Sequence, residues 1–347
     1  MTKRKIIALA VVGSFVLAIL LGVIIIAGVS NSKNDRTTPV EQLSYWQSML
    51  KDDVLLKKTV IPGAHDAGTK GLPYFAATQD RDTADLLACG TRYLDLRVSY
   101  ADGKYLIYHG PSKGVALDGV LDAVKTFICA NATETVILDF QHFDGEAQQG
   151  TIAMVEEKLN GLLITNDTDK SDVEFIDELT VGRSRGKCLI TWGRETEDIL
   201  AKKYVFKRNN DDGTRTDSVI QSYYKTSYNT KSSKQYINTV LPQYIEKYKE
   251  ADSGLFVLQG QLTDGLYIRG PKFREATHTD NMNEYVRRLN GSVDLDKINI
   301  IMRDFVTPYK NCCAIRINYL KSNVKTECHQ VFWTMLKDVN PELMQYG

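Results

Sequence analysis

Thr59-Val60-Ile61-Pro62-Gly63-Ala64-His65-Asp66-Ala67-Gly68-Thr69 is the stretch on which the reading of this chain turns. A short β-branched run stops at Pro-Gly and delivers an imidazole and a carboxylate into a glycine-bounded turn. Downstream, Arg92-Tyr93-Leu94-Asp95-Leu96-Arg97-Val98 is a second strand. Its alternation sets Tyr93, Asp95 and Arg97 on one side and Leu94, Leu96 and Val98 on the other, so one side is a polar wall. Tyr105-Leu106-Ile107-Tyr108-His109-Gly110 then brings a second histidine.

Outward from these pieces, strand and helix patterns alternate. Leu117, Val120, Leu121, Val124, Phe127 and Ile128 have helical spacing, as do Ile152, Val155, Leu159 and Leu162. Strands are expected at Val136–Phe140, Lys187–Thr191, Val219–Gln221, Leu255–Leu258 and Ile298–Met302. Further helices are expected near Tyr236–Lys249, Met282–Leu289 and Gln330–Leu336. Thr38-Pro39-Val40-Glu41 reads as a helix start, with Leu43, Trp46 and Leu50 on one face behind it. Strands this apolar are buried on both faces, and strands alternating with helices argue a parallel sheet. The predicted class is α/β, a single domain built as a closed or nearly closed (β/α) TIM-like barrel.

In such a barrel the functional side chains come from the C-terminal ends of the strands, and the polar residues fall there. His65 and Asp66 follow the first strand, Asp95 and Arg97 end the second, and Asp139 and Gln141 the third. Arg194, then Gln221 and Tyr224, then Arg303 and Asp304 follow later strands. Two histidines, carboxylates to orient them and an arginine suit in-line cleavage of a phosphodiester. One imidazole deprotonates an attacking hydroxyl, the other protonates the leaving alkoxide, and the guanidinium neutralises the nonbridging oxygens.

Ahead of the domain, Met1-Thr2-Lys3-Arg4-Lys5 precedes Ile6–Ser30, a run of 25 residues without a charge. That exceeds the ~20 residues needed to span a bilayer. The reading is an N-terminal transmembrane helix or signal segment over 1–30, a linker over 31–37 and a catalytic domain over 38–347. The three leading basic residues favour a cytoplasmic N-terminus. The expected location is a single-pass membrane protein with an extracellular or lumenal domain; a secreted form after signal cleavage is the alternative. Asn131, Asn166 and Asn290 open glycosylation triplets, and six cysteines permit up to three disulfides in an exported protein. With 43 basic and 43 acidic residues the chain has no electrostatic footprint for nucleic acid.

At the catalytic residues a resemblance becomes specific. Ile61–Thr69, Arg92–Arg97, Tyr108–Gly110 and Val136–His142 resemble, in order and spacing, the X domain of phosphatidylinositol-specific phospholipase C. The resemblance covers most of Val40 to about Pro308 and is strongest before Phe143. It implies a distorted barrel and attack of the inositol 2-hydroxyl on phosphorus, releasing a cyclic inositol phosphate and diacylglycerol. It implies His65 as general base, His109 as general acid, Asp66 as the carboxylate paired with the acid, and Arg97 as the phosphate-binding arginine. Asp304, by strand position, would partner His65. Asp95, Gln141, Arg194 and Tyr224 are the expected substrate-binding residues. Arg97 and Asp66 stand where the calcium-dependent branch carries an acidic ligand and an asparagine, so no metal or other cofactor is expected. The expected partner is a phosphoinositide or glycosylphosphatidylinositol-type lipid at a membrane surface, met by a membrane-tethered monomer. Two departures stand out: Gln141 occupies a position held by lysine or glutamate in the family, and Ser222 one where an aspartate is expected. The competing readings are a glycerophosphodiester or sphingolipid phosphodiesterase on a related barrel, and a catalytically dead lipid- or glycan-binding domain.

Overall fold

The computed structural model describes residues 40–346 apart from 195–196, 212–215, 264–269, 290–291 and 293. The expected membrane-spanning or signal segment over 1–30 and the linker over 31–37 lie outside them. Among the described residues no helix is long and apolar enough to cross a membrane.

Eight parallel strands form the barrel: β1 (Ile61–Ala64), β2 (Tyr93–Ala101), β5 (Thr135–Asp144), β6 (Lys187–Trp192), β7 (Val205–Lys207), β8 (Ile220–Ser222), β9 (Leu255–Gln259) and β10 (Ile300–Arg303). They follow one another around the ring in chain order. The first and last are neighbours, Ile61 lying opposite Ile300 and Ala64 opposite Arg303. Between β7 and β8 the join is slight, a single bridge between Arg208 and Ile220 with a few backbone hydrogen bonds beside it. The barrel is nearly closed.

The strand period of two sorts the apolar residues into layers. Ile61, Tyr93, Ile137, Leu189, Phe206, Ile220, Val257 and Met302 fill the interior. Their neighbours Leu94, Leu138, Ile190 and Leu258 face the helices outside. Gly63 is required where β1 enters this layer, because a Cβ there would lie 2.9 Å from Tyr93 Cδ1 and 3.3 Å from the Met302 backbone. Two helices match the spacing that announced them: Leu117–Ala130 and Ala147–Leu159, burying Leu121, Val124, Val155 and Leu159.

Several expectations are revised. Leu43, Trp46 and Leu50 are buried as their spacing requires, but the segment Glu41–Met49 is a 3₁₀ helix kinked at Tyr45. It is fixed across the barrel floor by Arg92, a fully buried guanidinium. Arg92 donates to Glu134 at 2.9 Å and to the carbonyls of Leu43, Ser44, Leu87 and Thr91. Tyr105–His109 lies in an antiparallel hairpin, β3 (Lys104–His109) with β4 (Ser112–Ala116), laid on the outer end of β2. Asp102 and Gly103, both at positive φ, make the two-residue turn that starts it. No disulfide joins any of the six cysteines; Cys89, Cys188, Cys312 and Cys313 are buried and behave as small apolar residues. Asn166 is buried, and its amide donates to Lys170 O and Asp172, so a glycan there would have to unmake that loop. Asn131 is partly exposed with its amide on Phe127 O, and Asn290 lies outside the described residues.

Candidate active site

Three strand ends and the hairpin meet over one cavity of about 200 Å³. His65 follows β1, Arg97 lies in β2, His109 ends β3 and Asp304 follows β10; all four line it. Asp66, at φ 44, takes a left-handed turn that asparagine and aspartate tolerate best. That turn buries its carboxylate beneath both histidines.

The hydrogen bonds fix the tautomers. His65 Nδ1 lies 2.7 Å from Asp304 Oδ1, so Nδ1–H donates to the carboxylate and Nε2 faces the cavity. His109 Nδ1 lies 2.7 Å from the carbonyl of Ala76. A carbonyl only accepts, so this nitrogen also carries its proton and again Nε2 is left to the cavity. Between the two Nε2 atoms sits Asp66 Oδ2, at 3.4 Å from His65 and 3.7 Å from His109. Arg97 completes the group: Nε is 2.6 Å from Asp66 Oδ1, and Nη2 is 3.3 Å from Asp95 Oδ2 and 3.2 Å from His65 Nε2. The Asp66–Arg97 contact is an ion pair rather than a directed hydrogen bond, since neither Asp66 oxygen has an aligned donor.

The charges shape the titration. Burial works against an imidazolium at His65, but Asp66 and Asp304 outweigh it and push the group up to about 9. Burial likewise opposes the Asp66 charge, and Arg97 with both histidines holds its carboxyl well below the usual range. Burial raises Asp304 against the opposing pull of His65, which it meets at 2.7 Å.

The two strand ends that carry this dyad are stapled together. Gln79, buried, donates through Nε2 to His65 O (2.9 Å) and Arg303 O (3.0 Å) and accepts from Val306 N at 3.0 Å. Lys310 spends its ammonium on Glu275, Asp304 O and Phe305 O, which pins the turn behind Asp304.

The expected substrate-binding residues divide. Gln141 and Tyr224 line the cavity, Tyr224 with its hydroxyl 3.0 Å from Thr263 Oγ1. Asp95 is fully buried and serves the site from below, accepting from Asp66 N at 3.1 Å. Arg194 is exposed on a left-handed turn after β6 (φ 54) and does not line the cavity. The chain leaves the barrel there, because Trp192 is held outward by Gln148 and stacked on Phe143. Asp139 is buried and gathers donors from Tyr93, Thr191, Gln141 and Arg208. Ser222 is buried too, accepting from Gln259 at 2.7 Å. Among the cavity-lining residues that the sequence reading did not assign are His142 and Asp211.

His65, Asp66 and Asp95 each bring a ligand atom within 4.8 Å of the others, a donor set that a divalent cation could use. The Arg97 guanidinium already lies against both carboxylates. A cation there would have to displace it, so these residues do not fit a metal while Arg97 is in place.

Comparison with known proteins follows the same lines. Residues 56–192 match the family model described as phosphatidylinositol-specific phospholipase C, X domain. PI-PLC X domain-containing protein 3 of Danio rerio is 29% identical over an alignment of 136 residues, covering 29% of this chain and 42% of the relative. The match therefore spans less than half that relative's length. Among solved structures, the phosphatidylinositol-specific phospholipase C from Listeria monocytogenes superposes with a TM-score of 0.61 at 22% identity, covering 82% of this chain and 99% of that one. A variant of the S. aureus enzyme gives 0.59 at 17% identity, covering 83% and 100%. These likenesses establish the fold.

Proposed function

Because residues 56–192 belong to the phosphatidylinositol-specific phospholipase C X-domain family, we propose that this chain cleaves phosphatidylinositol, or a glycosylated relative, to diacylglycerol and a cyclic inositol phosphate without a metal. One observation carries the reading: two histidines of fixed tautomer point their Nε2 atoms at one carboxylate oxygen, beside a guanidinium.

In this reading the headgroup 2-hydroxyl gives its proton to His65 Nε2 as its oxygen bonds to phosphorus. The glycerol oxygen leaves and takes a proton from His109 Nε2. Arg97 meets the charge on the nonbridging oxygens, where a preorganised cation in a partly dry site is worth most. Asp304 stabilises the imidazolium formed at His65, and Asp66 is the carboxylate that faces His109 Nε2. We extend the proposal to a domain held at a membrane by Ile6–Ser30, on the sequence of that segment alone.

The test is the full chain with phosphatidylinositol vesicles in excess chelator, read as cyclic inositol phosphate. Product is expected. Activity that appears only on adding calcium would overturn the role given to Arg97. Silence under both conditions would favour the binding-only reading, to which Ser222 and the tied-down Gln141 already lend some weight.

A further inference from the structure

One wall of the cavity takes no part in the chemistry above. β7 and β8 stand across the ring from β1 and β2, and β5 lies between the two sides. Strand alternation would turn Gln141 inward and His142 outward. The pairing of β2 with β5 slips by one residue at this point: Leu96 faces Phe140 and Arg97 faces His142, leaving Gln141 as the extra residue of a bulge. Both neighbours therefore reach the cavity. Gln141 is tied down, with its amide on Tyr93 and Asp139. His142 is not: among the described residues no hydrogen bond engages its imidazole. Burial, and then the nearby Arg97, lower its pKa, so at neutral pH it presents one N–H and one lone pair.

Asp211 comes to the same cavity from the turn after β7. Its Oδ1 is held at 3.0 Å by Arg208 Nη2, and Arg208 is itself fully buried and anchored on Asp139. Its backbone carbonyl accepts from Tyr224 N at 3.2 Å, which joins it to the β8 end. The carboxylate is thus preorganised, with its second oxygen available. Ser222 supplies no carboxylate here, being buried against Gln259.

We propose that His142 and Asp211 together bind the ring hydroxyls of a polyol headgroup, the carboxylate accepting from hydroxyls and the imidazole donating to one or accepting from it. The identity of the ligand rests on the phosphodiesterase reading; the pairing of the two side chains on one polyol does not.

The probe is myo-inositol, titrated into the full chain by calorimetry, with phosphatidylinositol kinetics run in parallel. His142→Ala removes a neutral hydrogen bond and is expected to weaken inositol binding about three- to tenfold; Asp211→Asn removes a charged acceptor and is expected to cost about tenfold or more. Both should raise KM for phosphatidylinositol by similar factors and leave kcat nearly unchanged, the signature of a contact made equally in ground and transition states. His142→Gln, which keeps a donor and an acceptor, should recover most of the loss. Melting curves check the fold, and His142→Ala leaves the Arg208–Asp211 bond untouched. Inositol affinity unchanged in both variants, or absent in the wild-type protein, would overturn the pair. A wild-type protein that binds inositol through these residues yet cleaves no phosphatidylinositol would leave the pair standing and remove the enzyme reading.

Discussion

Replacing Asp304 by asparagine tests the catalytic reading most directly, because the change keeps shape and removes one charge. Asp304 is buried at 2% exposure, and its 2.7 Å contact with His65 Nδ1 is the shortest that imidazole makes. Raising His65 from 6.5 to about 9 corresponds to about 3 kcal/mol favouring the charged form, the net left after burial opposes it and Asp66 and Asp304 favour it. In wild type roughly 1% of His65 is the neutral base at pH 7, so kcat/KM should climb with pH toward 9. In the variant the pKa falls, and the rising limb should move toward lower pH by at least about one pH unit. The amide can also turn its NH₂ to Nδ1, which selects the tautomer with its proton on Nε2 and leaves no base toward the hydroxyl. That loss is of order 10²–10⁴ for a positioned base, and outweighs the gain in neutral fraction. The assay is cyclic inositol phosphate release from vesicles in chelator between pH 5 and 10, with His65 followed by its ring-proton NMR signal. Stability gives a second readout. The folded-state pKa is raised, so the His65 contribution is complete below 6.5, shrinks as pH rises and is gone above about 9. The variant should flatten that decline. Activity within a few-fold of wild type with an unmoved pH limb would refute the reasoning.

The remaining predictions are narrower. His109→Ala should lower phosphatidylinositol cleavage by about 10²–10⁴, but cost far less on an inositol phosphodiester with a nitrophenol leaving group, which departs without a proton; equal losses on both substrates would remove the acid role. Glu134→Ala strands the fully buried Arg92 guanidinium and should cost about 3–5 kcal/mol of stability, seen in urea unfolding. The protein that remains folded should keep its KM and pH profile, because Glu134 lies on the barrel floor, away from the cavity.

Much of this arrangement was legible in the sequence because it rests on local rules. Pro62-Gly63 after a β-branched run marked the end of β1, and alternation in Tyr93–Val98 gave the inward polar face. What was missed lies where those rules break. β7 has three residues, Val205–Lys207, too few to show a period. Asp102-Gly103 carries a two-residue hairpin signal, and both residues adopt the positive φ that such a turn needs. His142 was hidden by parity: a bulge reverses which residues face inward, and nothing in Asp139-Phe140-Gln141-His142 reveals one. Arg194 failed for a related reason, since following a strand does not fix the direction in which a turn leaves it. The cysteine count implied disulfides only through the expected export, and burial turned out to be the fate of four of the six.

The His65–Asp304 contact joins groups 239 residues apart, on the first and last strands of the ring. At about 5–20 residues per second of synthesis, roughly 10–50 s separate the two as the chain is made. During that interval an emerging chain holds both histidines and the arginine but has no partner for the base, and Gln79 has only one of the two strand ends it fastens. Under the proposed function, the chain therefore stays inert until its final strand docks. The onset of lipid cleavage would mark the completion of folding.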